Sequence, residues 1–208
     1  PFLSNDERCC GYECQWNGDK KTFNKLAKLN IEAIAATGAK KVVTSCAECF
    51  RTLKSDYAED HELPFEVIHS VTLIAEWAKS GKLKFKDQAA TDITYHDACR
   101  MGRYEGIYDA PREILKAIAG DKFTEMQRIK NDAICCGVGN FSNCDANTKF
   151  LQHDRLQEAK GTGAEVMATT CPKCRIHYGC YLDGRPIEPI EDLKVKDITE
   201  LAAEALEL

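Results

Sequence analysis

Nine of the twelve cysteines in this 208-residue chain fall into a spaced pattern. A Cys-Cys-Gly triplet occupies Cys9, Cys10 and Gly11, and 35 residues intervene between Cys10 and Cys46-x-x-Cys49. A second triplet occupies Cys135, Cys136 and Gly137, and 34 intervene between Cys136 and Cys171-x-x-Cys174. Cys99, in "ITYHDACRMGR", precedes the second triplet by 35 intervening residues. Adjacent residues on a strand point to opposite faces, so Cys135 and Cys136 cannot easily share one metal ion. A disulfide between neighbours would be strained. In a long chain able to build a core, close-spaced cysteines bind metal or do redox chemistry rather than staple the fold. The second set offers five thiolates from three segments, one more than a tetrahedral zinc or a cubane 4Fe–4S cluster takes. A larger or more open iron–sulfur assembly accommodates five, because Cys135 and Cys136 can then bind different irons. Gly137 lets the backbone bend close to such a cluster, and its N–H can bond a cluster sulfur.

The elements that must position these thiolates repeat as well. "TGAKKVVTSCAEC" runs from Thr37 to Cys49 and "TGAEVMATTCPKC" from Thr162 to Cys174, each with its glycine eight positions ahead of the first C-x-x-C cysteine. The chain is a tandem duplication of about a hundred residues, not a short solenoid repeat. "TFNKLAKLNIEAIAATG" carries apolar residues at helical spacing and stops at Gly38. "KVVTSC" is a short β-branched strand, and "CAECFRTLKSDYAED" reads as one helix. The second copy reads likewise: helix over "NTKFLQHDRLQEAKGTG", strand over "EVMATTC", helix over "PKCRIHYGCYL" with Pro172 suited to a first turn. "FEVIHS" and "VTLIAEWAKSG" add a strand and a helix whose Trp77 falls on the apolar face, a core position. "EPIEDLKVKDITELAAEAL" is the matching piece at the C-terminus. Strands alternating with helices predict an α/β fold with mainly parallel sheets, and functional groups gather where such strands end.

Composition removes several classes. Net charge is −5 and the 28 basic residues are scattered, which argues against nucleic acid and anionic membrane surfaces. No apolar run approaches the roughly 20 residues of a bilayer span, so a membrane role would come through a partner. The start, "PFLSNDERCC", has no initiator Met and no signal-peptide layout, and reads as a piece of a longer polypeptide.

With these residues in view, the chain resembles the cysteine-rich CCG domains of heterodisulfide reductase catalytic subunits, in the form where ferredoxin and CCG modules are fused. "CCGYECQWNGD", "VVTSCAECFRTLKSDY", "ITYHDACRMGRYEGIYDAPREILKAI" and "TTCPKC" carry the resemblance over nearly the whole chain. The resemblance implies two tandem Rossmann-like units, residues 1–85 and 86–208, related by an approximate two-fold axis with metal sites near their interface. It implies noncubane 4Fe–4S clusters, one held by Cys99, Cys135, Cys136, Cys171 and Cys174, another by Cys9, Cys10, Cys46 and Cys49. It further implies electron transfer to or from a disulfide/dithiol couple, small or protein-borne, cleaved between two clusters. The first copy departs from the pattern, because its leading cysteine would lie before Pro1. There is also no ferredoxin-type cysteine run, so electrons must enter through a ferredoxin-type module or another subunit. Expected partners are that module and a flavin-containing or membrane quinone/haem subunit. A reducing, cytoplasmic setting is expected, with membrane association through a partner. Two other functions stay open: an electron relay in a flavin- or quinone-linked 2-hydroxy acid or glycerol-3-phosphate oxidising complex, and a zinc-stabilised assembly module.

Several further residues are candidates. His96 beside the second set could donate a proton to a released thiolate, and Arg103 could bind an anionic substrate group. The structural alternative has His96 bracing its strand and Arg103 paired with Glu105. His69 reads as structural. Cys14 could complete the first set, although it has no counterpart in the second copy. Cys144 and Cys180 fall outside the repeat and read as buried or free thiols. "GVGN" after the second triplet lacks the glycines of a dinucleotide loop.

Overall fold

In the computed structural model, described over residues 7–86, 91–138, 145–184, 187–188, 190 and 192–207, helices and strands alternate along the chain. The first half runs α1 (Tyr12–Trp16), α2 (Lys20–Ala36), β1 (Lys41–Thr44), α3 (Ala47–Arg51), β2 (Glu66–His69) and α4 (Ser70–Lys79). The second runs β3 (Ile93–Tyr95), α5 (Asp109–Ala119), α6 (Ala146–Lys160), β4 (Val166–Thr169), α7 (Pro172–Asp183), β5 (Lys194–Asp197) and α8 (Ile198–Ala205). Two short parallel sheets result, β1-β2 and β3-β4-β5, so the fold is α/β as expected.

The duplication is visible down to single hydrogen bonds. Asp19 caps α2 by accepting from the Thr22 N–H, and Asp145 caps α6 by accepting from the Thr148 N–H. Gly38 and Gly163 take positive φ just beyond those helices, where a side chain would be strained. Thr37 and Thr162 each donate to the carbonyl three residues back. β1 pairs with β2 as Lys41↔Glu66 through Thr44↔His69, and β4 pairs with β5 as Val166↔Lys194 through Thr169↔Asp197. The last residue of each second strand then caps the next helix: His69 Nδ1 accepts from Val71 N–H, and Asp197 from Thr199 N–H.

Packing ties the halves together. One core gathers the second sheet with α5, α6, α7 and α8, and takes in Val71 and Ala75 of α4. A smaller one holds Phe23, Ala27, Ile34, Phe50, Leu53, Tyr57, Phe65 and Val67. Glu105 of the second half accepts from Lys54 and Ser55 of the first. Among the described residues no helix is long and apolar enough to cross a membrane.

Two sequence expectations change. The helix expected from Cys46 onward is α3, then a π-helical stretch at Thr52–Asp56 and a 3-10 turn at Tyr57–Glu59. Trp77 is 39% exposed rather than core. α4 buries Val71 and Ala75, and a residue two beyond Ala75 lies about 200° around the helix. Helices α1 and α5, for which the sequence pattern gives no separate expectation, both contribute buried residues.

Candidate metal centre

Each Cys-Cys-Gly triplet lies in irregular chain, not on a strand. Gly11 and Gly137 take φ of 83° and 87°, and each points its N–H at the first cysteine of its triplet, 3.4 Å from Cys9 Sγ and 3.4 Å from Cys135 Sγ. A side chain would meet Phe23 at 3.1 Å at Gly11 and Thr148 at 3.3 Å at Gly137. The triplets are fixed by their carbonyls. Asn30 Nδ2 donates to Cys9 O at 3.0 Å and Tyr57 Oη to Cys10 O at 2.8 Å. In the second half, His177 Nδ1 bonds Cys136 O at 2.8 Å. Cys46 and Cys171 are each the extended residue that opens α3 or α7. The chain turns there from strand to helix, which sends both cysteines of a C-x-x-C toward the triplet.

The sulfurs of each set touch. Cys49 Sγ donates to Cys10 Sγ at 3.2 Å, and Cys174 Sγ to Cys136 Sγ at 3.4 Å. Cys99 lies in the turn after β3, and Cys135 raises its thiol. The two C-x-x-C motifs also meet: Glu48 of the first pairs with Lys173 of the second at 2.8 Å. Neighbouring thiols hold the Cys46 and Cys135 thiols well below the usual range, while Cys10 above all raises Cys49, and Cys135 raises Cys99.

The middle residues of the two C-x-x-C motifs hold the junction. Lys173 of the second motif is 5% exposed and its Nζ lies 2.8 Å from Glu48 of the first, with Glu13 of α1 as another partner. Burial raises Glu48 despite the lysine. Next to Cys99, the Arg100 guanidinium donates to Tyr12 Oη at 2.6 Å and stacks over Trp16 at 3.8 Å and Tyr104 at 4.3 Å. A cleft of about 630 Å³ opens over the first set, lined by Cys9, Cys10, Cys46, Cys49 and by Pro172, Lys173 and Ile176 across from them.

His96 and Arg103 sit in different settings from those expected of catalytic groups. His96 is 1% exposed, its Nδ1 accepts from Arg155 Nε at 3.2 Å, and burial pushes its pKa down to about 3. That environment keeps the ring neutral, so it has no surplus proton near neutral pH. Arg103 does not pair with Glu105. It donates to the carbonyls of Asn131 at 3.2 Å and Ala133 at 2.6 Å, holding the loop that leads into Cys135. Cys14 is half-buried on α1, near enough to Cys9 to influence its thiol. Cys180 is exposed on α7, and Cys144 lies outside the described residues. Sequence reasoning passes over Lys173, Glu48 and Arg100. The first two carry a signal, opposite charges at matching positions of a repeat. Arg100 carries none, since its aromatic neighbours come from both halves.

Among the described residues no three His, Cys, Asp or Glu side chains are grouped as around a single ion. Comparison with known proteins agrees with the cysteine pattern. The profile of the CCG cysteine-rich domain matches residues 1–54 and 93–179. The chain is 38% identical over 214 residues to the D subunit of the dihydromethanophenazine:CoB–CoM heterodisulfide reductase of Methanosarcina mazei, covering 100% of this chain and 51% of that protein. It is 33% identical to the probable iron-sulfur-binding oxidoreductase FadF of Bacillus subtilis, covering 99% and 29%. It is 31% identical to the EtfAB:quinone oxidoreductase of Syntrophomonas wolfei, covering 99% and 30%. The chain spans about half the length of the first of these relatives, and less of the others. By the repeated triplets and the two matched segments, the chain belongs to the family of cysteine-rich CCG-domain proteins.

Proposed function

We propose that the two cysteine sets hold iron–sulfur clusters of the noncubane 4Fe–4S type and that the chain is the part of a heterodisulfide reductase-like oxidoreductase where a disulfide/dithiol couple exchanges electrons. The observation that carries this reading is the meeting of the two C-x-x-C motifs at the Lys173–Glu48 pair, beside an open cleft lined by the first set. The relatives, by name a heterodisulfide reductase component and iron–sulfur or quinone oxidoreductases, support it.

The donors fit such a group. Clusters take soft thiolates, and in each set a triplet thiol meets one of the C-x-x-C, Cys10 with Cys49 at 3.2 Å and Cys136 with Cys174 at 3.4 Å. Cys9, Cys10, Cys46 and Cys49 would hold one cluster; Cys99, Cys135, Cys136, Cys171 and Cys174 the other. When bound, an iron–sulfur cluster supplies one-electron redox chemistry and Lewis-acidic iron for a sulfur ligand. The chain's own groups do the rest. Gly11 and Gly137 aim N–H dipoles at ligand sulfurs, and Arg100 places positive charge beside Cys99, which favours added electrons. Pro172 and Ile176 give the cleft an apolar wall.

Residues 1–85 and 86–208 are read as the two CCG units, related by an approximate two-fold axis. A ferredoxin-type module and a flavin, quinone or haem subunit complete the electron path, and a reducing compartment protects the thiols. The test is anaerobic: Mössbauer and EPR spectra with iron counted per chain, then reduction of the holo-complex in the presence of small and protein-borne disulfides. Absence of turnover with every disulfide overturns the reading, and a colourless protein with stoichiometric zinc replaces it with an assembly module. A second reading, an electron relay to a flavin or quinone, draws on the EtfAB:quinone oxidoreductase relative and on the four-cysteine first set. It predicts clusters that titrate reversibly but never cleave a disulfide.

A further inference from the structure

In each triplet the peptide between the second cysteine and the glycine is engaged at both ends. The Gly11 N–H points at Cys9 Sγ from 3.4 Å, and the carbonyl of the same peptide, Cys10 O, accepts from Tyr57 Oη at 2.8 Å. The Gly137 N–H points at Cys135 Sγ from 3.4 Å, and its carbonyl, Cys136 O, lies 2.8 Å from His177 Nδ1. A carbonyl only accepts, so Nδ1 carries the proton. The N–H and C=O of a trans peptide face opposite ways. One planar unit thus joins a side-chain donor on one side to a cysteine sulfur on the other.

The two donors come from unlike places in the repeat. Tyr57 stands eight positions after Cys49, in the 3-10 turn, and His177 three after Cys174, in α7. The corresponding positions of the other copy hold Leu182, which has no polar side-chain atom, and Thr52, which donates to Asp56. Packing inherited through duplication would keep the position. Here the position changes and the carbonyl contacted stays the same. Both donors are buried, and each is itself held: Asn30 Nδ2 donates to Tyr57 Oη at 3.0 Å, and Gln152 Nε2 to the His177 carbonyl at 2.8 Å.

We propose that Tyr57 and His177 are positioning residues that set the reduction potentials of the two cluster sites, each acting through its peptide on one sulfur, Cys9 or Cys135. The hydrogen bonds are geometry; their effect on a potential rests on the cluster reading above. Hydrogen bonds in series polarise one another, by about 10–30% per bond. A donor on the carbonyl therefore makes the glycine N–H more positive, and it also fixes where that N–H points. N–H bonds to cluster sulfurs shift the potential. An added electron makes the sulfur more negative, so the bond gains most in the reduced state. Removing the donor lowers the potential.

An EPR-monitored redox titration of the holo-complex reads each site, and the site left unaltered is the internal reference. Tyr57→Phe keeps the ring and removes the hydroxyl. It is expected to shift one equilibrium about threefold against the reduced state, roughly 28 mV for a one-electron couple. His177→Leu should shift the other by a similar amount. His177→Asn, whose amide nitrogen takes the place of Nδ1, should restore it. Iron per chain is expected to match the unsubstituted protein in all three variants. Unmoved potentials overturn the proposal, as do equal shifts at both sites or a His177→Asn that behaves like His177→Leu. Loss of iron from any variant marks a purely structural part and overturns it too. Absence of iron from the unsubstituted complex sinks the cluster reading itself, and this proposal with it.

Discussion

Lys173 is the residue on which the junction between the cysteine sets turns. It is buried with two carboxylates, and removing one partner of a buried ion pair leaves the other charge uncompensated. Lys173→Met is therefore expected to destabilise the metal-free protein by about 3 kcal/mol. Adding Glu48→Gln should recover part of that loss. A urea midpoint for Lys173→Met close to the unsubstituted one would show that the pair contributes little. Arg155, fully buried, presents a second case. It donates to Glu158 at 2.7 Å, to the Arg128 carbonyl and to His96. Burial pushes Glu158 up, but the Arg128 N–H and the Arg155 guanidinium outweigh it and hold the carboxyl below its usual range. A depressed carboxyl stabilises fully above its unfolded value, about 4.3, and that stability is lost as pH falls through the folded value. Glu158→Gln should then lower stability at neutral pH and flatten its decline below about pH 4.3. A parallel decline in both proteins would remove Glu158 from the account.

At the scale of elements, the duplicated caps make a matched pair of experiments. Asp19→Ala and Asp145→Ala each remove a side chain that accepts from an N–H three residues on, and each should cost about 1 kcal/mol. Unequal losses well beyond that scale would mean that packing, not capping, governs one helix. Gly137→Ala should cost about 1 to 3 kcal/mol, since φ of 87° disfavours any side chain there. The strands and long helices of both halves are legible because β-branched runs, helical spacing and stop glycines agree with one another. The irregular path of the triplets is not, because strand alternation says nothing of the positive φ that Gly11 and Gly137 adopt. The place of Trp77 is hidden because an apolar residue in an apolar helix says nothing about which side meets the core. The break after α3 has no signature in "RTLKSDYAED". The cysteine sets are legible from spacing; that their C-x-x-C motifs meet through Lys173 and Glu48 depends on tertiary packing that spacing does not encode.

At the scale of the molecule, the thiol pairs make a prediction without metal. In cluster-free protein, diamide takes two hydrogens from a pair of touching thiols and leaves a disulfide. Peptide mapping should find Cys10 linked to Cys49 and Cys136 to Cys174, the pairs at 3.2 and 3.4 Å. Links confined within each C-x-x-C would mean that the triplets stand away from those motifs in solution. The opposite charges at the third positions of those motifs have a further consequence. A duplicated gene tends to be homogenised when one copy overwrites the other. Here, a chain reading CAEC twice would set two acids face to face in a dry interior, and one reading CPKC twice would set two ammonium groups there. The copies are thus obliged to stay unlike at this position, and a chimera is expected to fold only when both motifs are exchanged together.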